Sequence, residues 1–183
     1  MNVFDFDKTI YDGDSTIDFY FYCLRMNFSI IRFLPKQLLA AIQYKLRSIS
    51  KTKFKEEFYS FLVELDDAEK MVIDFWDKHE HKIKKWYLEI QKEDDIVISA
   101  SPRFLLIEIC KRTNINELIA SEVDIKTGKY TGINCYGEEK VRRFHEKHNE
   151  RIDSFYSDSR SDQPLADIAK DKYIVKGGTI VPW

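Results

Sequence analysis

The first fourteen residues place two acidic side chains directly after a short apolar strand. Val3, Phe4 and Phe6 are apolar, as is typical of a strand that is buried on both faces of a parallel sheet. Asp5 and Asp7 flank Phe6, and residues two apart in an extended chain point to the same side. Ligands of open α/β sheets bind at the carboxyl ends of the strands, so this stretch predicts a site there.

Two carboxylates that share one site repel each other, and the pair therefore needs a cation or a proton between them. Mg²⁺ is a suitable cation, because it is held by one or two carboxylates together with water and substrate phosphate. One carboxylate could attack phosphorus, and the other could transfer a proton. Taken alone, the pair of Asp5 and Asp7 is equally compatible with two solvated acids at the end of a strand.

Short apolar strands alternate with helical segments in the second half of the chain. The strands are predicted at residues 96–99, 117–123, 153–156, 173–175 and 179–183. This alternation predicts an α/β fold with a doubly wound parallel sheet. Residues 15–88 have helical periodicity and contain no glycine. We therefore predict a core domain made of residues 1–14 and 89–183, and an inserted all-helical cap domain made of residues 15–88.

Composition and charge narrow the class of protein. The 183 residues are 44% hydrophobic and 33% charged, which is typical of a globular protein, and a net charge of −2 gives no basic field for nucleic acid. The three cysteines are scattered, which argues for a reducing compartment and against a disulfide scaffold or a zinc site. Because the predicted catalytic strand leaves no room for a signal peptide before it, we expect a cytoplasmic protein. The oligomeric state stays open.

Residues 17–46 are rich in aromatic and aliphatic side chains. Arg25, Arg32 and Lys36 interrupt them and Pro35 breaks the run, so no stretch approaches the ~20 apolar residues needed to span a bilayer. We expect this segment to pack inside the helical cap. Weak peripheral membrane contact through a basic amphipathic face is the alternative.

Polar side chains also follow the later strands. Ser99 ends the second strand, Asp158 follows the fourth, Asp162 lies four residues later, and Lys140 lies on the helix before the fourth strand. Ser99 could donate a hydrogen bond to a phosphate oxygen, and Lys140 could neutralise the charge of the phosphate and of Asp5. Asp158 could bind the metal, and Asp162 could accept from Lys140 or from metal-bound water. Each residue alone has an ordinary structural explanation, but their joint order indicates phosphoryl transfer.

These motifs resemble those of the haloacid dehalogenase superfamily, subfamily IB, in its phosphoserine-phosphatase-like branch. DFDKT (5–9) is similar to the first motif, DxDxT, and IVISAS (96–101) to the second, a hydrophobic strand that ends in Ser or Thr. GEEKVRR (137–143) resembles the third motif, which carries a lysine, and YSDSRSDQPL (156–165) resembles the fourth, DSxSDxP. Together the motifs cover nearly the whole chain, and their order is highly specific.

The resemblance implies a Rossmann-like core and a Mg²⁺-dependent phosphatase that acts on a small phosphorylated metabolite, phosphoserine-like or other. Asp5 would become phosphorylated, and Asp7 would protonate the leaving group and then activate water. Asp5, Asp7 and Asp158 would hold the metal, with Asp7 using its backbone carbonyl as well. Ser99 and Lys140 would bind the phosphoryl group.

The resemblance also gives expectations for Thr9, Asp162 and Asp14, and the sequence leaves rival functions open. By the same resemblance, Thr9 would support the first motif loop and Asp162 would lie behind the metal ligands. Asp14 falls where this branch contacts the amino group of the substrate, although it is also a suitable helix cap. The rival functions are a phosphotransferase, a phospho-acceptor signalling module, and a membrane-peripheral protein that uses the apolar segment of the cap.

Overall fold

A six-stranded sheet lies at the centre of the computed structural model, which describes residues 1–183. Its strands are β1 (Asn2–Phe4), β2 (Ile96–Pro102), β3 (Glu117–Ser121), β4 (Ile152–Ser157), β5 (Ala169–Lys176) and β6 (Thr179–Pro182). Their order across the sheet is β3-β2-β1-β4-β5-β6. The first five strands are parallel, and β6 pairs with β5 in the antiparallel sense. The predicted α/β fold is confirmed, with one antiparallel strand added at an edge.

The chain contains eight α-helices in addition to the sheet. They are α1 (Ser15–Met26), α2 (Leu34–Lys45), α3 (Lys51–Tyr59), α4 (Ala68–His79), α5 (Lys85–Ile90), α6 (Arg103–Arg112), α7 (Glu138–Lys147) and α8 (Gln163–Asp167). Between β1 and β2 all the regular elements are α-helices or short 3₁₀ turns, in agreement with the helical periodicity of the sequence. The last three helices connect the parallel strands from β2 to β5, as a doubly wound sheet requires.

The strand order reverses beside β1. From β1 the chain continues to β2 and β3, which lie on one side of β1 within the sheet. It then returns to β4 and β5, which lie on the other side of β1. The crevice at such a switch point, outside the carboxyl ends of the strands, is where open α/β sheets bind ligands. Asp5 directly follows β1 and therefore stands at this crevice.

Both faces of the sheet are covered by hydrophobic side chains. Phe4 belongs to a cluster of 26 buried residues, and Val3 belongs to a second cluster of 11. Successive residues of a strand point to opposite faces, so the two neighbours enter different clusters. The ring of Phe4 packs against that of Tyr87 on α5 with the centroids 4.9 Å apart. On the other face, the cluster of Val3 includes Phe144 of α7.

Helices α4 and α5 share one hydrophobic cluster with strand β1. Trp76 of α4 is fully buried, and its indole N–H donates to the carbonyl oxygen of Leu105 on α6 at 2.6 Å. The larger hydrophobic cluster runs without interruption from β1 into these helices. The division into a core and a cap at residues 15–88 therefore stays a prediction, because the hydrophobic interior does not mark that boundary.

Helix α2 departs from the packing expected for residues 17–46. Leu38, Leu39 and Ile42 are exposed, whereas Gln37 and Ala40 of the same helix are buried. The apolar side chains of α2 thus face away from the other helices, and the expected packing is not found on this face. None of the helices combines the length and the apolar composition that crossing a membrane would require.

Candidate active site

A tight turn after β1 directs two carboxylates into one pocket. The carbonyl oxygen of Phe6 accepts hydrogen bonds from the N–H groups of Ile10 and Tyr11, both at 3.0 Å. This turn ends the strand, and both Asp5 and Asp7 line a pocket of about 260 Å³. The structure therefore brings together the two acids that the sequence predicted to share a site.

A buried lysine pairs with one of these acids. The Lys140 side chain is only 1% exposed, and its Nζ lies 2.7 Å from Asp5 Oδ1 and 2.7 Å from Asp162 Oδ2. Ser157 Oγ donates to Asp162 Oδ2 at 2.9 Å and fixes that carboxylate. Burial lowers the pKa of Lys140, but the two carboxylates together raise it above its usual value, so the side chain is an ammonium. Burial also raises the pKa of Asp5 to about 7, against the opposing charge of Lys140.

Asp7 is suited to both accepting and donating a proton. Burial raises its pKa to about 6, and the nearby Asp14 carboxylate adds to this rise. The N–H of Ser15 donates to Asp7 Oδ1 at 2.6 Å, and the hydroxyl of Ser101 donates to Oδ2. These hydrogen bonds limit the rise in pKa and fix the orientation of the carboxyl group. A general acid–base works best when its pKa lies near the working pH, so a pKa of about 6 suits Asp7 to this role close to neutral pH.

The end of β2 supplies a hydroxyl group to the same pocket. Ser99 is only 1% exposed, and its Oγ accepts a hydrogen bond from the N–H of Ser101 at 3.1 Å. The hydroxyl hydrogen is therefore free to be donated to an acceptor in the pocket, such as a phosphate oxygen. The strand continues to Pro102, three residues beyond its predicted end, so Ser99 lies inside β2 and is held by the sheet.

The loop after β4 is tied to the loop after β1. Thr9 is fully buried, and its Oγ1 accepts a hydrogen bond from the N–H of Asp158 at 2.9 Å. The carboxylate of Asp158 lines the pocket, and burial raises its pKa. This carboxylate accepts no hydrogen bond from another residue and forms no ion pair. It is therefore a carboxylate of the pocket lining that has no partner in the chain.

The chemistry of these oxygen donors fits Mg²⁺. Asp158 and one carboxylate oxygen of Asp5 have no partner in the chain, whereas both carboxylate oxygens of Asp7 accept hydrogen bonds. No group of three or more His, Cys, Asp and Glu side chains has the geometry of a complete metal site. Mg²⁺ commonly takes only one or two carboxylates and fills its other positions with water, carbonyl oxygens and substrate phosphate. The predicted ligands Asp158 and Asp5 fit this requirement, the latter because its Oδ1 accepts only the hydrogen bond from Lys140 and keeps a lone pair. The predicted use of the Asp7 backbone carbonyl stays a prediction.

The chain matches the model of a known protein family over most of its length. The family model for haloacid dehalogenase-like hydrolases matches residues 3–167, which is most of the chain. The chain belongs to this family. The predicted superfamily and the predicted enzyme class, a hydrolase, are thereby confirmed. A comparison with curated proteins gives no significant match.

Solved structures share the fold of this haloacid dehalogenase-like hydrolase at low sequence identity. A protein of unknown function from Bordetella pertussis Tohama I is 18% identical with a TM-score of 0.75, over 94% of this chain and 87% of that chain. A phosphoserine phosphohydrolase-like protein from Francisella tularensis is 13% identical with a TM-score of 0.59, over 94% and 86%. A probable phosphoserine phosphatase from Vibrio cholerae is 9% identical with a TM-score of 0.62, over 93% and 55%. The fold is therefore phosphoserine-phosphatase-like.

Asp14 is both a helix cap and part of the pocket lining, which the sequence left as alternatives. Its Oδ1 accepts a hydrogen bond from the N–H of Ile17 at 3.1 Å and caps the N-terminus of α1. The same residue also lines the pocket beside Asp7. Capping the helix therefore leaves Asp14 on the lining of the pocket, and its contact with a substrate stays a prediction.

Two lysines on α3 line the pocket, although no motif in the sequence marks them. Lys55 Nζ donates to the carbonyl oxygen of Ala100 at 2.8 Å and to Asn134 Oδ1 at 3.3 Å, and it has no carboxylate partner. Burial and the charge of Lys51 lower the pKa of Lys55 to about 8. Lys51 Nζ lies 3.2 Å from the ring centroid of Tyr136. The four-residue spacing puts both lysines on one helix face, but nothing in the sequence shows that this face borders the pocket.

Proposed function

We propose that this protein is a Mg²⁺-dependent phosphatase that hydrolyses a small phosphomonoester through a phosphorylated Asp5. The observation that carries the proposal is the environment of Asp5. One carboxylate oxygen is held at 2.7 Å by the buried ammonium of Lys140, and the other oxygen has no partner in the chain. A fixed carboxylate with one free oxygen, next to the acid–base Asp7, has what a nucleophile in phosphoryl transfer needs.

In the first step Asp5 attacks the phosphorus atom. The new bond forms between phosphorus and the free carboxylate oxygen, and the ester bond between phosphorus and the leaving oxygen breaks. Asp7 gives its proton to that oxygen, so that the alcohol product leaves uncharged. Ser99 donates a hydrogen bond to the transferring group, and Lys140 neutralises part of its charge. Both side chains are only 1% exposed, so little water competes for these contacts.

In the second step water hydrolyses the phosphorylated Asp5. Asp7 now lacks its proton and accepts one from the attacking water. The bond between phosphorus and the Asp5 oxygen breaks, which releases inorganic phosphate and restores the carboxylate next to Lys140. Mg²⁺ held by Asp5, Asp158 and the Asp7 carbonyl would supply positive charge that offsets the charge of the phosphoryl oxygens.

The pocket favours a small substrate. Its volume is about 260 Å³, below the range of about 300–1,000 Å³ that is usual for drug-sized ligands. Lys51 and Lys55 also line the pocket and offer positive charge to the part of the substrate that does not react. A phosphorylated amino acid or another small anionic metabolite suits these charges.

Substitution of the nucleophile tests the proposal. We expect Asp5→Asn to abolish hydrolysis of p-nitrophenyl phosphate in Mg²⁺, because an amide cannot attack phosphorus. Asp12→Asn is a matched control, since Asp12 is exposed on the same loop and does not line the pocket. EDTA should remove the activity of the wild type. Retained activity in Asp5→Asn, with an unchanged circular dichroism spectrum, would refute the mechanism.

The covalent intermediate can be tested separately. In Asp7→Asn the second step has no general base, so a phosphoryl group should accumulate on Asp5. Intact-protein mass spectrometry should show the added phosphoryl group, and peptide mapping should place it on Asp5. Phosphorylation of a different residue, or turnover of Asp7→Asn at the wild-type rate, would contradict the assignment. A screen of phosphorylated amino acids, sugars, nucleotides and lipid precursors would then identify the substrate class.

A further inference from the structure

The outer face of α2 carries the large apolar side chains of the helix, whereas its buried inner face carries only Gln37 and Ala40. Leu38, Leu39 and Ile42 are 55%, 54% and 57% exposed, whereas Gln37 is 6% and Ala40 is 2% exposed. A helix on the surface of a globular protein normally has the opposite arrangement, with its apolar stripe facing the core. The reversal indicates that something outside this chain covers the helix.

The orientation of α2 is fixed by hydrogen bonds on its inner side. Gln37 accepts a hydrogen bond from the hydroxyl of Tyr20 on α1 at 2.9 Å, and its amide donates to the carbonyl oxygen of Phe58 on α3 at 2.8 Å. Turning the leucines inward would break both bonds and would bury uncompensated polar groups. The apolar face therefore remains outward as long as α1 and α3 are folded.

The exposed apolar residues form one continuous stripe. Residues four apart lie above one another on a helix, and the exposed side chains at this spacing are Leu34, Leu38, Ile42 and Leu46. Leu46 just after the helix is 73% exposed. Single exposed apolar residues are common on protein surfaces, whereas contiguous apolar patches mark interaction sites. The stripe along α2 is a contiguous patch of this type.

The charge around this stripe identifies the kind of partner. Residues 19–55 contain eight Lys and Arg residues, of which three pair with Glu57 or Glu64 and two line the pocket. The three that form no ion pair and lie outside the pocket are Arg25, Lys45 and Arg47. Lys45 and Arg47 are exposed at the end of α2, next to the apolar stripe. A symmetric dimer built on this face would bring two identical basic surfaces together, and their charges would repel. A surface of anionic lipid complements both the apolar side chains and the positive charge.

We propose that the outer face of α2 binds to the surface of a membrane that contains anionic lipids. Leu34, Leu38, Ile42 and Leu46 enter the boundary between head groups and acyl chains, and the flanking basic residues contact the anionic head groups. The helix lies in the plane of the surface and does not cross it, in agreement with its length. This inference does not depend on the phosphatase mechanism, since none of these residues lines the pocket.

Co-sedimentation of the full chain with vesicles tests the proposal. The probe is a vesicle of equal parts phosphatidylcholine and phosphatidylglycerol, compared with pure phosphatidylcholine. We expect the double variant Leu38→Ser and Ile42→Ser to bind at least about tenfold more weakly than the wild type, because two buried side chains are lost. The matched control is Leu88→Ser with Ile73→Ser, which removes a leucine and an isoleucine of similar exposure, 48% and 45%, from α5 and α4.

Charge provides a second readout. Each Lys or Arg that reaches the surface contributes about fivefold to the affinity, so pure phosphatidylcholine and high salt should both weaken binding. Circular dichroism and the melting temperature confirm that each variant is folded. Failure of the wild type to sediment, or equal sedimentation of the α2 variant, would overturn the proposal. So would a dimer in light scattering that the α2 variant abolishes, because the face would then bind a second copy.

Discussion

Replacement of Lys140 by methionine tests the charge balance of the site. The side chain is 1% exposed, and its Nζ lies 2.7 Å from carboxylate oxygens of both Asp5 and Asp162. Methionine has a similar length and no charge, so Lys140→Met removes the ammonium without leaving a large cavity. The variant leaves two buried carboxylates without a counter-charge.

The size of the effect follows from the burial of these groups. Removal of one partner of a buried ion pair costs about 3–5 kcal/mol, because the remaining charge has lost its compensation. For a chain of this length, that cost lowers the melting temperature by about 6–20 °C. Lys70→Met is the control, since Lys70 forms an exposed pair with Asp74 four residues later on α4. An exposed pair of this kind contributes about 0–1 kcal/mol.

The cost of Lys140→Met should also depend on pH. In the wild type Lys140 has a raised pKa and therefore stays charged throughout pH 5–8. The stability that this charge provides is present over the same range. In the variant the carboxyl group of Asp5 loses the ammonium that lowers its pKa, so this pKa rises further above that of the unfolded chain. The native state then binds more protons than the unfolded state, and its stability falls as pH increases. Each unit of pKa shift corresponds to about 1.4 kcal/mol for each group.

Urea unfolding followed by tryptophan fluorescence measures these differences at pH 5 and pH 8. The buried Trp76 provides a signal for loss of the core. We expect a larger destabilisation at pH 8 than at pH 5, and partial recovery when Asp5→Asn is added to Lys140→Met. A loss below about 1 kcal/mol at pH 8 would refute the reasoning, because it is the value expected of an exposed pair. An equal loss at both pH values would refute the assignment of the cost to unpaired carboxylates.

Two further predictions concern the metal and the substrate. Mg²⁺ at about one hundred times its Kd should stabilise the wild type and the exposed control Asp12→Ala by about 2.7 kcal/mol in thermal unfolding, and Asp158→Ala by much less. An equal effect in Asp158→Ala would remove this residue from the site. Lys55→Met should lower kcat/KM for phosphoserine about tenfold or more, but leave phosphoethanolamine nearly unchanged, because only phosphoserine has a carboxylate for the charge of Lys55. In the wild type this preference should decrease as pH rises through about 8, the pKa of Lys55. Equal losses for both substrates would contradict the contact.

The helices and strands show where local sequence is a sufficient guide. Asp14 is a suitable helix cap by sequence, and α1 does begin directly after it at Ser15, because the Asp14 carboxylate accepts the N–H of Ile17. Strand β2 extends to Pro102, beyond its predicted end at Ser99. That extension depends on pairing between Pro102 and Ser121 of β3, and such pairing between distant segments cannot be read from a local pattern.

The residues of the candidate site also divide into those that a local sequence pattern could assign and those that it could not. Asp5, Asp7, Ser99 and Asp158 could be assigned to one edge because each follows a strand, and parallel strands end at the same edge. Lys140 could be assigned because its helix precedes β4, and the structure places it against Asp5. Ser101 and the two α3 lysines carry no such marker, since their approach to the pocket depends on how distant elements pack.

The sequence by itself determined the alternation of strands and helices, the polar residues at the strand ends and the membership of the family. These features are encoded locally, in the periodicity of apolar residues and in short motifs. Only the tertiary structure decided that Lys55 enters the pocket and that Gln37, rather than Leu38, faces the other helices. Both outcomes depend on hydrogen bonds between residues far apart in the chain. A helical pattern defines which residues share a face, but it does not define what that face meets.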